Sequence, residues 1–246
     1  MSRSFAFFDL DHTLLPFDTQ ALFCNFVLRR EGWRRLWLLW FLPCAPLAAL
    51  KILSLRTMKR LFLGYLVGMK REVLEAHVEA FLESDFSAAL YPSVVAEVNR
   101  HREEGRILIL NSASPDFYLH GIARRLGFDH VVGTLVVIPD RMPLLPVIEG
   151  PNNKHGEKIL AMRKSGLIPD EPPVFADSWA YSDSSADLPL LELAEHAVMI
   201  HPGEKLASIG NEQGWRTMTP ARPYGGRWSG RLATCLQILG LYQVQK

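Results

Sequence analysis

The chain opens with a continuous apolar run, FAFF, that stops at the polar sequence DLDHT. A short aromatic run without alternation predicts a strand buried on both faces, over residues 4–9. From about 17 to 85 the period changes to that of a helix. Phe23, Phe26 and Val27 share one face, as do Val73, Leu74, Val78, Phe81 and Leu82. Gly32, Pro43, Pro46, Gly64 and Gly68 punctuate this region. No strand is expected within it.

Beyond Pro92 the pattern alternates between strands and helices. SVVAEVNRHREEG predicts an amphipathic helix closed by Gly105, and RILILN a buried strand. Next comes a helix with Ser114 as N-cap and Pro115 in its first position, ended by Gly127. Residues 130–148 suggest a strand pair with a turn near Asp140. HGEKILAMRKSG is helical, PVFADSWAYSD holds a strand, DLPLLELAEH a helix and AVMIHP a further strand. The final stretch, 220–246, reads as a loop and a short amphipathic helix around 232–241. This alternation implies an α/β fold, a doubly wound parallel sheet covered on both faces, interrupted after its first strand by an all-helical insertion. The expected division is a core of residues 1–15 and 88–220, a helical cap of 16–87 and a tail of 221–246.

One segment raises a membrane question. LWLLWFLPCAPLAALKILSL, 36–55, approaches the length of a span, but Pro43 and Pro46 break it and Lys51 lies near its end. The favoured reading is two short packed helices around a proline turn, with a membrane-touching hairpin as the alternative. The N-terminus does not read as a signal peptide, because Asp9 and Asp11 interrupt the apolar run.

Composition narrows the classes. The chain has 246 residues, 48% of them apolar, enough for one generous domain or a domain with an insert. Its 27 basic and 26 acidic side chains nearly cancel, against the basic excess expected of a nucleic-acid binder. Cys24, Cys44 and Cys235 are far apart in sequence, without metal-type spacing, and read as reduced thiols in the cytoplasm.

The chemistry-bearing residues cluster where predicted strands end, which is where ligands bind in doubly wound sheets. They are DLDHT (9–13), NSASPDF (111–117), GEK (156–158) and YSDSSADLPLL (181–191). A phosphate monoester repels an approaching carboxylate, so a carboxylate nucleophile needs cations beside it. Mg²⁺ takes oxygen ligands and bridges carboxylates to phosphate. Asp9 and Asp183 suit one such ion, Asp9 suits attack on phosphorus to form an aspartyl phosphate, and Asp11 suits proton transfer.

The ordered set DxDxT, Ser, Lys, DSxxD resembles the haloacid dehalogenase superfamily of phosphohydrolases over roughly 5–204. It is closest to the phosphoserine phosphatase branch, subfamily IB, whose helical cap follows the first motif. The resemblance implies Asp9 as nucleophile and Asp11 as acid–base, with metal held by Asp9, Asp183 and the backbone carbonyl of Asp11. Ser112 would bond a phosphoryl oxygen, with backbone N–H groups near Ala113 and Ser114 as further donors. Lys158, preferred to Lys154 for its spacing from Gly156, would offset charge. Thr13 and Asp187 would support these groups, and Asp187 would orient the lysine or a metal-bound water.

Asp18 stands where phosphoserine phosphatases use a glutamate toward the substrate amine. It reads equally as the cap of a helix beginning at Thr19. SAS at 112–114 departs from the Ser-Gly-Gly of that branch. His12 reads as a supporting or solvent-facing residue, and Arg56 and Arg60 as weak candidates for a substrate carboxylate. The expected partner is a small phosphorylated metabolite, phosphoserine-like or histidinol phosphate-like, with Mg²⁺ as cofactor and no nucleic acid. Alternatives are a membrane-associated or protein-binding module that uses the apolar cap, and phosphotransfer to an acceptor other than water.

Overall fold

A computed structural model describes residues 3–50, 52–150 and 156–244. The elements run β1 (Phe5–Phe8), α1 (Thr19–Arg30), α2 (Leu38–Phe41), α3 (Cys44–Ala49), α4 (Leu55–Phe62), α5 (Arg71–Phe81), α6 (Ser87–Ala89) and α7 (Pro92–Glu103). Then follow β2 (Ile107–Pro115), α8 (Asp116–Leu126), β3 (His130–Val137), β4 (Val147–Glu149), α9 (Gly156–Lys164), β5 (Phe175–Ser182) and α10 (Leu188–Leu191). The chain closes with β6 (Ala194–Ile200), α11 (Glu204–Glu212), β7 (Arg216–Met218) and α12 (Arg227–Ile238).

The strands form one sheet in the order β4-β3-β2-β1-β5-β6-β7. All neighbours are parallel except β3 and β4. The chain divides into two compact units.

The first unit comprises Met1–Asp18, Ala89–Thr134 and Pro151–Pro223 and holds the parallel strands. β1 lies at its centre, Phe7 in register with Ile109 of β2 and Ala180 of β5. Both faces are covered, so β1 carries no polar alternation. Phe5 and Phe7 pack against Phe175, with ring centroids 5.0 and 6.4 Å away. Phe8, on the opposite face, stacks on Tyr181 at 4.2 Å. The helix over 92–103 forms as expected. Pro92 opens it without losing a needed donor, and Gly105 follows in a left-handed conformation at φ 75°.

Two local expectations are corrected. The helix expected from Ser114 begins at Asp116, and Ser114 and Pro115 remain in β2 because Pro115 pairs with Thr134 of β3. The helix expected over 187–196 is only α10, because pairing of Phe175 with Ala194 draws 194–196 into β6.

The second unit comprises Thr19–Ala88, Leu135–Gly150 and Tyr224–Lys246. It therefore takes in Leu135–Gly150, expected in the core, and Tyr224–Lys246, expected as a tail. Main-chain hydrogen bonds explain this. Met142 N–H donates to Met69 O and Gly68 N–H to Met142 O. Arg60 Nε donates to Pro146 O at 2.8 Å, and Arg56 donates to Ile148 O. These two arginines thus fasten β4 and the connection that leads into it. At the C-terminus, Arg35 donates to Leu239 O and Gly240 O at 2.9 and 2.8 Å, while Asn25 exchanges bonds with the backbone of Tyr242.

The two short helices expected over 36–55 form as α2 and α3 with Pro43 between them, but they are only partly packed. Trp37 and Phe41 turn inward onto Phe62, at 5.5 and 5.4 Å. Leu36, Leu39, Leu42, Leu47, Leu50, Ile52 and Leu55 are exposed. A helix apolar all round has two greasy faces, and here one side is buried within the unit while these residues remain uncovered. Among the described residues, no helix is long and apolar enough to cross a membrane. The three cysteines are free.

Candidate active site

The site is built in the first unit, where β1, β2 and β5 run out. Asp9 follows β1, its N–H bonded to Tyr181 O at 3.0 Å, which holds its backbone in line with the sheet. The chain then turns tightly. Thr13 and Leu14 N–H both donate to Leu10 O, and His12 sits in the left-handed region at φ 61°. His12 Nδ1 lies 3.1 Å from Pro16 O, so this side chain fastens the turn rather than facing solvent. Asp18 immediately precedes α1 and is half-buried.

Lys158, on α9, is the hub. Its Nζ donates to Asp9 Oδ1 at 2.6 Å and to Asp187 Oδ2 at 2.8 Å. All three side chains are buried. Asn111 Nδ2 bonds Lys158 O at 3.2 Å and so anchors the start of α9 to β2. Asp187 also accepts from Ser182 Oγ at 2.8 Å. Lys154 lies outside the described residues.

Thr13 joins two strand ends. Its hydroxyl donates to Asp9 Oδ2 at 3.4 Å and accepts from Asp183 N–H at 3.1 Å. Ser112 is fully buried, and its Oγ accepts from Ser114 N–H at 3.0 Å. That N–H is thus engaged within the loop and is not an open donor. The carbonyl of Ala113 accepts from Thr134 Oγ1 at 2.7 Å. Ser114 Oγ donates to Asp11 Oδ2 at 2.7 Å. Neither Ser114 nor Ser182 was singled out from sequence for this work. Their signal was position alone, each beside a motif residue.

Electrostatics follow from four carboxylates around one ammonium. Burial, then repulsion from Asp187, Asp183 and Asp11, pushes Asp9 up to about 7 against the opposing pull of Lys158. Burial and the charges of Asp187 and Asp11 push Asp183 up to about 7. Burial works against the Lys158 ammonium, but Asp9 and Asp187 outweigh it and raise its pKa. The site therefore carries surplus negative charge and offers oxygen donors only. That chemistry fits a hard divalent cation such as Mg²⁺. Among the described residues, no group of three or more His, Cys, Asp and Glu side chains is arranged to hold a metal. The donor set suggested by sequence is of a different kind, two carboxylates and one backbone carbonyl.

A family model for haloacid dehalogenase-like hydrolases matches residues 6–192, which include Asp9, Ser112, Lys158 and Asp187. The chain belongs to this family. Its first unit places Asp9 and Asp183 just past the carboxyl ends of β1 and β5, with Lys158 on α9. The chain is similar to a probable phosphatase of Mycobacterium tuberculosis, 30% identical over 153 residues, which make up 60% of this chain and 52% of that protein. It is also similar to phosphoserine phosphatase SerB1 of the same species, 27% identical over 220 residues, 85% of this chain and 68% of that one. The chain thus spans about half the length of the first of these relatives. A Bordetella pertussis protein of unknown function shares the fold with a TM-score of 0.71 and 26% identity, over 89% of this chain and 99% of that one.

Proposed function

We propose that this protein is a phosphatase that hydrolyses a small phosphate monoester through an aspartyl phosphate on Asp9. The chain of ion pairs from Asp9 through Lys158 to Asp187 carries this reading. It offers a carboxylate with a fixed cation beside it, which a nucleophile needs before it can approach an anionic ester. The similarity to phosphoserine phosphatase SerB1 supports the same class.

In the first step an Asp9 oxygen bonds to phosphorus, the ester P–O bond breaks, and Asp11 gives its proton to the leaving oxygen. In the second, water bonds to phosphorus, its proton returns to Asp11, and the bond to Asp9 breaks to release phosphate. Ser112 hydrogen-bonds a phosphoryl oxygen. Lys158 offsets the charge of nucleophile and phosphoryl group, and Asp187 and Ser182 keep it aimed. Asp9, Asp183 and the Asp11 carbonyl would hold Mg²⁺, which when bound neutralises further negative charge.

Phosphoserine-like and histidinol phosphate-like esters are the substrates this reading favours, with Asp18 toward the substrate amine. The test is a panel of phosphorylated metabolites, including both, ranked by kcat/KM with Mg²⁺ present. One ester standing well above the rest identifies the class. No turnover of any member would overturn the reading. Alcohol acceptors in the same assay separate hydrolysis from transfer.

A further inference from the structure

Between Glu31 and Glu72 the chain carries eight lysines and arginines and no acidic residue. The whole chain sums to +1, so the remainder carries −7. Positive charge is therefore concentrated in one stretch of the second unit, although Arg34 within it is buried and paired with Glu31 at 2.7 Å. The same stretch turns apolar side chains outward. Trp33 and Leu36 are 60% and 58% exposed, although their neighbours Trp37 and Phe41 are buried. Leu39 is 74% exposed, Leu50 71% and Leu55 70%.

α4 repeats this division within one helix. Leu55, Met58 and Leu61 alternate with Arg56, Lys59 and Arg60, and none of its residues is buried. Arg56 and Arg60 bond to main-chain carbonyls of β4 and of the connection before it, which are neutral acceptors.

A surface that is at once apolar and cationic repels a second copy of itself by like charge. An anionic bilayer satisfies both halves. Its acyl boundary accepts Trp and Leu, and its headgroups attract Lys and Arg. Among the described residues no helix is long and apolar enough to cross a membrane, and the contact proposed is one at the surface.

We propose that the face formed by residues 33–60 docks on the surface of an anionic lipid bilayer, with Trp33, Leu36, Leu39 and Leu50 seated among the lipids and Arg35, Arg56, Lys59 and Arg60 at the headgroups. This inference is independent of the phosphatase reading, because its readout is binding and not turnover.

The test is co-sedimentation of the full chain with vesicles of phosphatidylcholine alone and of phosphatidylcholine mixed with phosphatidylglycerol. The expected partition is at least about tenfold stronger on the mixed vesicles and falls with added salt. The double variant Leu39→Glu, Leu50→Glu should weaken it by about tenfold or more. Its circular dichroism and melting temperature should stay unchanged, since both side chains are exposed. No partition of the wild type, or equal partition of the variant, would overturn the proposal. So would light scattering that shows a wild-type dimer dissolved by the variant without vesicle binding, which would make this face a contact between copies.

Discussion

Ser114 Oγ donates a 2.7 Å hydrogen bond to Asp11 Oδ2, joining positions 103 residues apart in sequence. The bond fixes the rotamer of the carboxylate proposed to move the proton. Phosphoserine phosphatases carry glycine where Ser114 stands, so the sequence departure at 112–114 has a structural counterpart. Ser114→Ala removes this bond from Asp11. It should lower kcat about tenfold, roughly the value of one net hydrogen bond, with KM little changed. Steady-state kinetics on p-nitrophenyl phosphate, with kcat and KM separated, check this.

Lys158 is the only ammonium bonded to Asp9 among the described contacts. Lys158→Met leaves Asp9 and Asp187 facing each other in a buried site. Activity should fall by about 10²–10³ or more, as when a charge-stabilising donor is removed. Loss of a buried ion-pair partner should also cost about 3–5 kcal/mol, checked by urea denaturation. Full activity in this variant would remove the lysine from the mechanism.

His101 reports on pH. It is fully buried against Phe8 and Trp179, bonded to Tyr181 Oη at 2.7 Å and flanked by Arg100 and Arg106. Burial, then these two guanidinium groups, pushes it down to about 3 from an ordinary 6.5, although Glu97 pulls the other way. The folded protein therefore keeps His101 neutral where the unfolded chain protonates it. Stability is present above about pH 6.5 and is lost as pH falls toward 3. Between pH 7 and 5 the loss should be at most about 2 kcal/mol. Denaturation at both pH values, on wild type and His101→Leu, measures it as a difference that shrinks in the variant.

Trp37 and Trp33, four residues apart, should respond very differently to truncation. Trp37 packs on Phe41, at 4.3 Å between rings, and on Phe62. Trp33 is 60% exposed. Trp37→Ala should destabilise by about 3–5 kcal/mol. Trp33→Ala should stay within about 0.5 kcal/mol. Chemical denaturation of the two variants decides it.

These contrasts mark what the sequence made legible. The apolar run before Asp9, the glycine closing at Gly105 and the ordered acidic motifs are local signals, and each lands where expected. The ends of elements near partners are not local. Ala194 pairs with Phe175 and Pro115 with Thr134, and those pairings override a helical pattern that is visible only along the chain. Ser114 and Ser182 were hidden for a related reason. A serine beside a motif looks like any other until the fold brings a carboxylate to it. Over 36–55 the two short helices were legible but their exposed side was not, because hydropathy counts apolar residues without saying which face finds a partner.

The central claim is that Asp9 is the nucleophile of a phosphatase. Turnover of p-nitrophenyl phosphate with Mg²⁺ by the full chain, compared with Asp9→Asn of the same circular dichroism, tests it most directly. The account predicts a loss of about 10³-fold or more in the variant. Equal turnover by the two proteins would contradict it.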